Sequence, residues 1–161
     1  MRAGGDRFEI GEQVFQMLFP EGATSLLGIG LGVPVDTVTA RYGQPSRPGN
    51  PAVWDLAVED PGGQNRRIEV AVHISNTRTG AVSARFYSRD RMDIDTAWRL
   101  VKEHLDRCHG APAKEVGGVL AFVWTHAVDN VAATTRGSRF KDQSLENALQ
   151  IETRPSAAGG R

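Results

Sequence analysis

The sequence predicts an α+β fold: two units, each a helix followed by an antiparallel meander, with the helices packed on one face of the sheet. Three observations carry this. Val35-Asp36-Thr37 … Gly43-Gln44-Pro45 announces a short helix and stops it. The same order of signals returns in Ile94-Asp95-Thr96 … Gly110-Ala111-Pro112, and each stop leads through a loop into Val-Trp-x-x-Ala-Val, at Val53–Val58 and again at Val123–Val128. Finally, Ile68, Val70, Val72 and Ile74 alternate with Arg67, Glu69, Ala71 and His73, the period of a half-buried strand.

In each helix the Asp is placed to act as N-cap, accepting from the orphan N–H groups of the first turn. Gly43 and Gly110 are placed at the C-terminal stop, and Pro45 and Pro112 prevent continuation. The second helix, about Asp95 to Cys108, is the longer and carries Ile94, Trp98, Val101, Leu105 and Cys108 on one stripe, with Arg99, Lys102, Glu103 and Arg107 behind. The two units span about 26–89 and 92–153 of a single globular domain over 8–153, with 1–7 and 154–161 as unstructured lead-in and tail.

Taken in order, Phe8 to Phe19 has the spacing of a short amphipathic helix ending before Pro20-Glu21-Gly22. Gly28, Gly30 and Gly32 interleave with Leu27, Ile29 and Leu31 as an extended lead into the Asp36 helix; the run has neither dinucleotide spacing nor the Lys-Ser/Thr of a P-loop. After the proline-rich loop 44–51, Trp54, Leu56 and Val58 mark a strand, and Asn76–Gly80 closes a hairpin returning through Val82, Ala84 and Phe86. In the second unit Leu120 to Val128, Val131 to Thr135 and Ala148 to Glu152 read as strands, with 136–147 as an irregular loop.

Nineteen basic residues balance nineteen acidic ones, so no global field draws the chain to nucleic acid. One cysteine, Cys108, makes no internal disulfide, and Met1 to Phe8 lacks a signal-peptide pattern. The expectation is a cytoplasmic protein that needs no membrane and no cofactor. His73, His104, His109 and His126 lack metal-ligand spacing, so no metal is expected. Cys108 reads as core, and His109 as a cation near a helix C-terminus. A thiol nucleophile would need His126 to reach Cys108 across the sheet.

Ile29, Leu31, Gly32, Asp36, Val38, Tyr42, Gly43, Pro45 and Trp54, followed by Asp95, Gly110, Pro112 and Trp124, form an order that resembles two families. One is the SmpA/OmlA (BamE-like) outer-membrane lipoprotein domain. The other is the tandem-repeat β-lactamase inhibitory proteins. The resemblance spans most of the chain in outline and implies a helix running into a Trp-bearing meander; for the inhibitors it implies aromatic residues that anchor a partner. The chain departs from both in having neither a lipidated cysteine nor a disulfide pair.

The expected function is non-enzymatic binding of another protein, as an inhibitor or immunity-type antitoxin covering a toxin or enzyme. Its contact residues are Trp54, Arg67, Glu69, His73, Arg85, Tyr87 and Trp124, on strands that leave one face free, with Trp54 and Trp124 open to the alternative of pointing into the helix-covered core. A secretion chaperone or adaptor would instead expose Phe15, Leu18 and Phe19. A small enzyme or ligand-binding domain would line a pocket with His73, Tyr87 or His126.

Overall fold

The computed structural model describes residues 10–58, 63, 65–110, 114–116, 121–128, 131–141 and 147–155. It is α+β. Among the described residues, three helices, α1 (Ile10–Leu18), α2 (Val35–Tyr42) and α3 (Arg91–His109), accompany strands β1 (Ala52–Leu56), β2 (Arg67–Ser75), β3 (Arg78–Ser88), β4 (Lys114–Val116), β5 (Ala121–Val128), β6 (Val131–Lys141) and β7 (Asn147–Pro155). All seven strands form one antiparallel sheet in the order β1-β2-β3-β7-β6-β5-β4. The chain thus lays down one meander, crosses over through α3, lays down a second, and joins the two where β7 pairs with β3.

Register and burial divide the sheet by parity. Trp54, Val70, Ala84, Ile151 and Gly137 stand in one row from β1 to β6, and all are buried. Ala52, Val72, Val82, Thr153, Thr135 and Trp124 form a second buried row. These residues share a core with Ile10, Val14 and Leu18 of α1, Val38 of α2, and Ile94, Ala97, Trp98, Val101 and Leu105 of α3. The alternation in β2 is the cause on the sheet side, and the three- and four-residue spacing of α3 is the cause on the helix side.

Both helix starts differ from expectation. Asp36 is no cap: α2 begins at Val35 behind Pro34, and Asp36 lies in the first turn without a capping hydrogen bond. The backbone has already met the need there, since Val35 N–H donates to the Thr77 carbonyl and Thr37 N–H to that of Pro34. Helix α3 starts at Arg91, four residues before Asp95, because Asp90 accepts from Met92 N–H. Asp95 instead lies 3.6 Å from Arg91, one turn away.

Residues 26–32 contain a tight 3-10 turn at Leu26–Gly28 rather than a wholly extended segment. Leu26, Leu27, Ile29 and Leu31 are buried, and Thr79 fastens the segment by donating its hydroxyl to the Gly30 carbonyl at 2.7 Å. Strand β6 runs to Lys141, through half of the expected loop 136–147. Gly137 hid it: a Cβ there would come within 2.9 Å of Trp98 Cζ3, so the position that should carry an apolar strand residue is bare to admit an indole from α3. Strand β7 includes Arg154 and Pro155 of the expected tail. The lead-in 1–7, Leu120 and the rest of the tail lie outside the described residues.

A buried ion pair ties the entry of β2 to the start of α3. Asp93 accepts from Arg66 Nε at 2.5 Å and from Ser88 Oγ at 2.6 Å, with both charged side chains under a tenth exposed. Each charge is met by the other, Asp93 also by the Ser88 hydroxyl and Arg66 also by Asp90 at 3.7 Å, which is what makes their burial tolerable. Among the described residues no helix is long and apolar enough to cross a membrane.

Candidate partner-binding face

The parity opposite the core carries the polar side chains. Asp55, Glu69, Arg85 and Gln150 make one row across β1, β2, β3 and β7. Val53, Ala71, Ser83, Glu152, Arg136 and Val123 make the next, as far as β5. The side chains are braced laterally. Arg47, from the loop before β1, lies 3.0 Å from Asp55 and 3.5 Å from Glu69. Arg85 donates to Tyr87 Oη at 3.1 Å and to Gln150 Oε1 at 2.7 Å, and Arg154 donates to Glu152 at 2.6 Å.

Four of the seven predicted contact residues are accessible. His73 is exposed; Arg67, Glu69 and Arg85 are half-buried. Tyr87 shares their face but is only 6% exposed, its ring covered by the Arg67 guanidinium 4.1 Å from the ring centroid. Tyr87 therefore positions Arg67 and Arg85 instead of presenting an aromatic surface.

For Trp54 and Trp124 the core alternative holds, and they are no contact residues: they are 3% and 0% exposed, in the two core rows. Each turns its indole N–H to the helix that precedes its strand. Trp54 donates to the Gly43 carbonyl at 2.8 Å, and Trp124 to Asp106 Oδ1 at 3.0 Å. A tryptophan satisfied in this way gains more from apolar burial than any exposed position could give it. Sequence reasoning missed Arg136 and Arg154, because it took 136–147 for a loop and ended the last strand at Glu152, and it gave Glu152 itself no contact role. The signal available was the alternation of Ala148, Gln150, Glu152 and Arg154 with Leu149, Ile151 and Thr153.

The groups considered for chemistry lie elsewhere. His104 is buried, its Nε2 2.7 Å from the Ala23 carbonyl and its ring between Phe15 and Phe19, with centroids 5.5 and 4.7 Å away. Cys108 Sγ sits 3.6 Å from that same Nε2, one helical turn on, so its neighbour is His104 and not His126. His126 reaches across β6 instead, with Nε2 2.5 Å from Thr135 Oγ1, which in turn lies 2.8 Å from Thr153 Oγ1. His109 stacks on His126 with centroids 3.9 Å apart. Burial, with the neighbouring His126 and His104 adding to it, lowers the His109 pKa to about 4. It is therefore neutral at pH 7 rather than the helix-end cation expected.

Of the expected pocket residues His73, Tyr87 or His126, Tyr87 and His126 occupy opposite parities of the sheet, so those two line no common pocket. Among the described residues no group of three His, Cys, Asp or Glu side chains could hold a metal ion. Leu18 at the end of α1 and Phe19 just after it are each 1% exposed, and Phe15 is partly buried against the core, so these residues are packed more than presented.

Comparison with family models, curated proteins and solved structures returned no match to this chain. The functional reading rests on the residues above.

Proposed function

We propose that this chain is a non-enzymatic binding module for another protein, an inhibitor or immunity-type antitoxin that lays the polar face of its sheet over a toxin or enzyme. The observation that carries it is the asymmetry of the sheet: one parity is sealed in the core, and the other offers accessible Glu69, His73, Arg85 and Arg136, with Glu69 braced by Arg47 and Arg85 by Tyr87 and Gln150. A braced charged side chain loses little freedom on contact, which lowers the cost of binding. Met92 is the one large hydrophobic exposed among the described residues, so a polar, reversible contact is favoured over an obligate apolar one.

Two finer readings accompany the proposal. The chain is a duplicated unit: a meander follows α2 and another follows α3, and β1-β2-β3 meets β7-β6-β5 in mirrored order. The matched Trp54 and Trp124 bonds support it, and so does the order that resembles the tandem-repeat inhibitory proteins and the BamE-like domain. The helices lie together on the core face, as their shared core with the buried rows favours. The compartment that suits such an antitoxin, and a single free cysteine, is the cytoplasm.

The test is a pull-down with a tagged copy in the source organism, followed by mass spectrometry and reconstitution from purified components. One stoichiometric partner is expected, released by Arg85→Glu with Glu69→Lys. A protein that retains no macromolecule and turns over a substrate would overturn the proposal. A secretion chaperone has less support, because the α1 apolar face it would need is buried.

A further inference from the structure

Over β5, β6 and β7 the polar face dips into a depression of ≈ 220 Å³ lined by Val123, Thr134, Arg136, Glu152 and Arg154. We infer that this depression is the subsite for an acidic side chain of the partner protein, its aliphatic stem against Val123 and Thr134 and its carboxylate between the Arg136 and Arg154 guanidiniums. The inference rests on the protein-binding reading above and names the chemistry of what is bound.

Size is the first argument. The depression is below the roughly 300–1,000 Å³ of clefts that take small molecules or cofactors, and suits one side chain. Charge is the second. Two guanidiniums face one carboxylate there, and Glu152 is engaged with Arg154 through a single nitrogen, leaving the other donors of that fork. Arg136 stands directly across from Glu152 in the register, is exposed, and among the described residues has no hydrogen-bond or ion-pair partner. An arginine fork presented over an apolar floor matches a carboxylate bidentately.

The wider face agrees. Its described side chains include Arg47, Arg67, Arg85, Arg136 and Arg154 against Asp55, Glu69 and Glu152. The excess is positive but interrupted. A continuous phosphate backbone tracking the sheet would run onto those carboxylates, whereas separate acidic side chains on a protein avoid them.

The test titrates the whole protein at low salt with hexaglutamate, capped at both ends, and with hexaglutamine and hexauridylate as controls, by calorimetry. The double variant Arg136→Gln/Arg154→Gln and the remote pair Arg99→Gln/Arg107→Gln on α3 are titrated alongside. Both substituted sites are exposed, and unchanged thermal midpoints confirm that the variants are folded. Expected is binding of hexaglutamate alone, weakened at least tenfold in the first variant and unchanged in the second. Equal weakening in both, tighter binding of hexauridylate, or no heat from hexaglutamate would each overturn the subsite. With a pulled-down partner in hand, undiminished binding by the first variant overturns the subsite and leaves the protein-binding reading standing. If no partner is retained, that reading fails while the hexaglutamate titration still decides the subsite.

Discussion

The two helix-to-strand corners of this molecule share a backbone and differ in chemistry. At the first, α2 ends at Tyr42, Gly43 follows with φ 83° and ψ −170°, and Trp54 of β1 donates to the Gly43 carbonyl. At the second, α3 ends at His109, Gly110 follows with φ 81° and ψ −169°, and Trp124 of β5 donates to Asp106. The residue before the glycine and the residue two beyond the tryptophan are Tyr42 and Leu56 in the first corner, partly buried against the core. In the second they are His109 and His126, stacked at 3.9 Å. One geometry is thus closed once by apolar contact and a neutral acceptor, and once by titratable rings and a carboxylate. Only the second corner should respond to mild acid.

The largest expected effect tests what the corners have in common. Trp54→Ala and Trp124→Ala should each cost about 3–5 kcal/mol, since each empties a buried indole site. Chemical denaturation would measure it. A loss under 1 kcal/mol at either site would mean that that corner does not carry the core.

Next come the glycines. Backbone near φ +80° with ψ close to 180° is almost confined to glycine, and a Cβ at Gly43 or Gly110 would meet no described atom within 4 Å. Gly43→Ala and Gly110→Ala should therefore cost similar amounts, about 1–3 kcal/mol, from backbone strain alone. Unequal costs would break the equivalence of the two corners.

The acceptors separate the corners. Trp54→Phe should cost about 1 kcal/mol for a neutral hydrogen bond and Trp124→Phe about 2 kcal/mol for one to a carboxylate. Asp106→Leu, which removes the acceptor, should bring the two close together in a double-mutant cycle. Asp106 also lies 2.9 Å from Lys102, so a Lys102→Met background isolates the indole bond.

The smallest effect is pH dependence. His109 takes a proton in the folded protein only near pH 4, while in the unfolded chain it does so near the ordinary 6.5. Between those values the unfolded state binds the extra proton, so stability is full above about pH 6.5 and declines as pH falls toward 4. His109→Gln should flatten the decline in that window, read from thermal midpoints, whereas substitutions at Tyr42 should leave it in place. Titration of the His109 ring near 6.5 in the folded protein, followed by NMR, would refute the assignment.

Much of the fold was legible because it depends on local signals. The alternation of β2, the hairpin at Asn76-Thr77, the stripe of α3 and the glycine stops each specify one element from its own residues. The sites that were misread are those where a distant partner does the work. Asp36 looked like a cap, but backbone carbonyls from Thr77 and Pro34 already hold that turn. Gly137 looked like a loop residue because the indole that needs its space lies on Trp98. His109 looked like a cation until the fold buried it and stacked His126 against it.

What the sequence determined by itself is therefore the three helices and most of the strands, though not β4 or the far half of β6, together with the antiparallel character of the strands and the alternation along β2. The chain could not say which tryptophans were buried, since a strand position supplies two faces and only docking of the helices chooses between them. Nor could it bring together Arg136 and Arg154, which the β6–β7 register places, or Arg85 and Gln150, which meet only on the closure of β7 onto β3. Local propensities act over a few residues, whereas that closure joins residues some 65 positions apart, such as Arg85 and Gln150. Only burial of the whole core offsets the entropy of bringing them together.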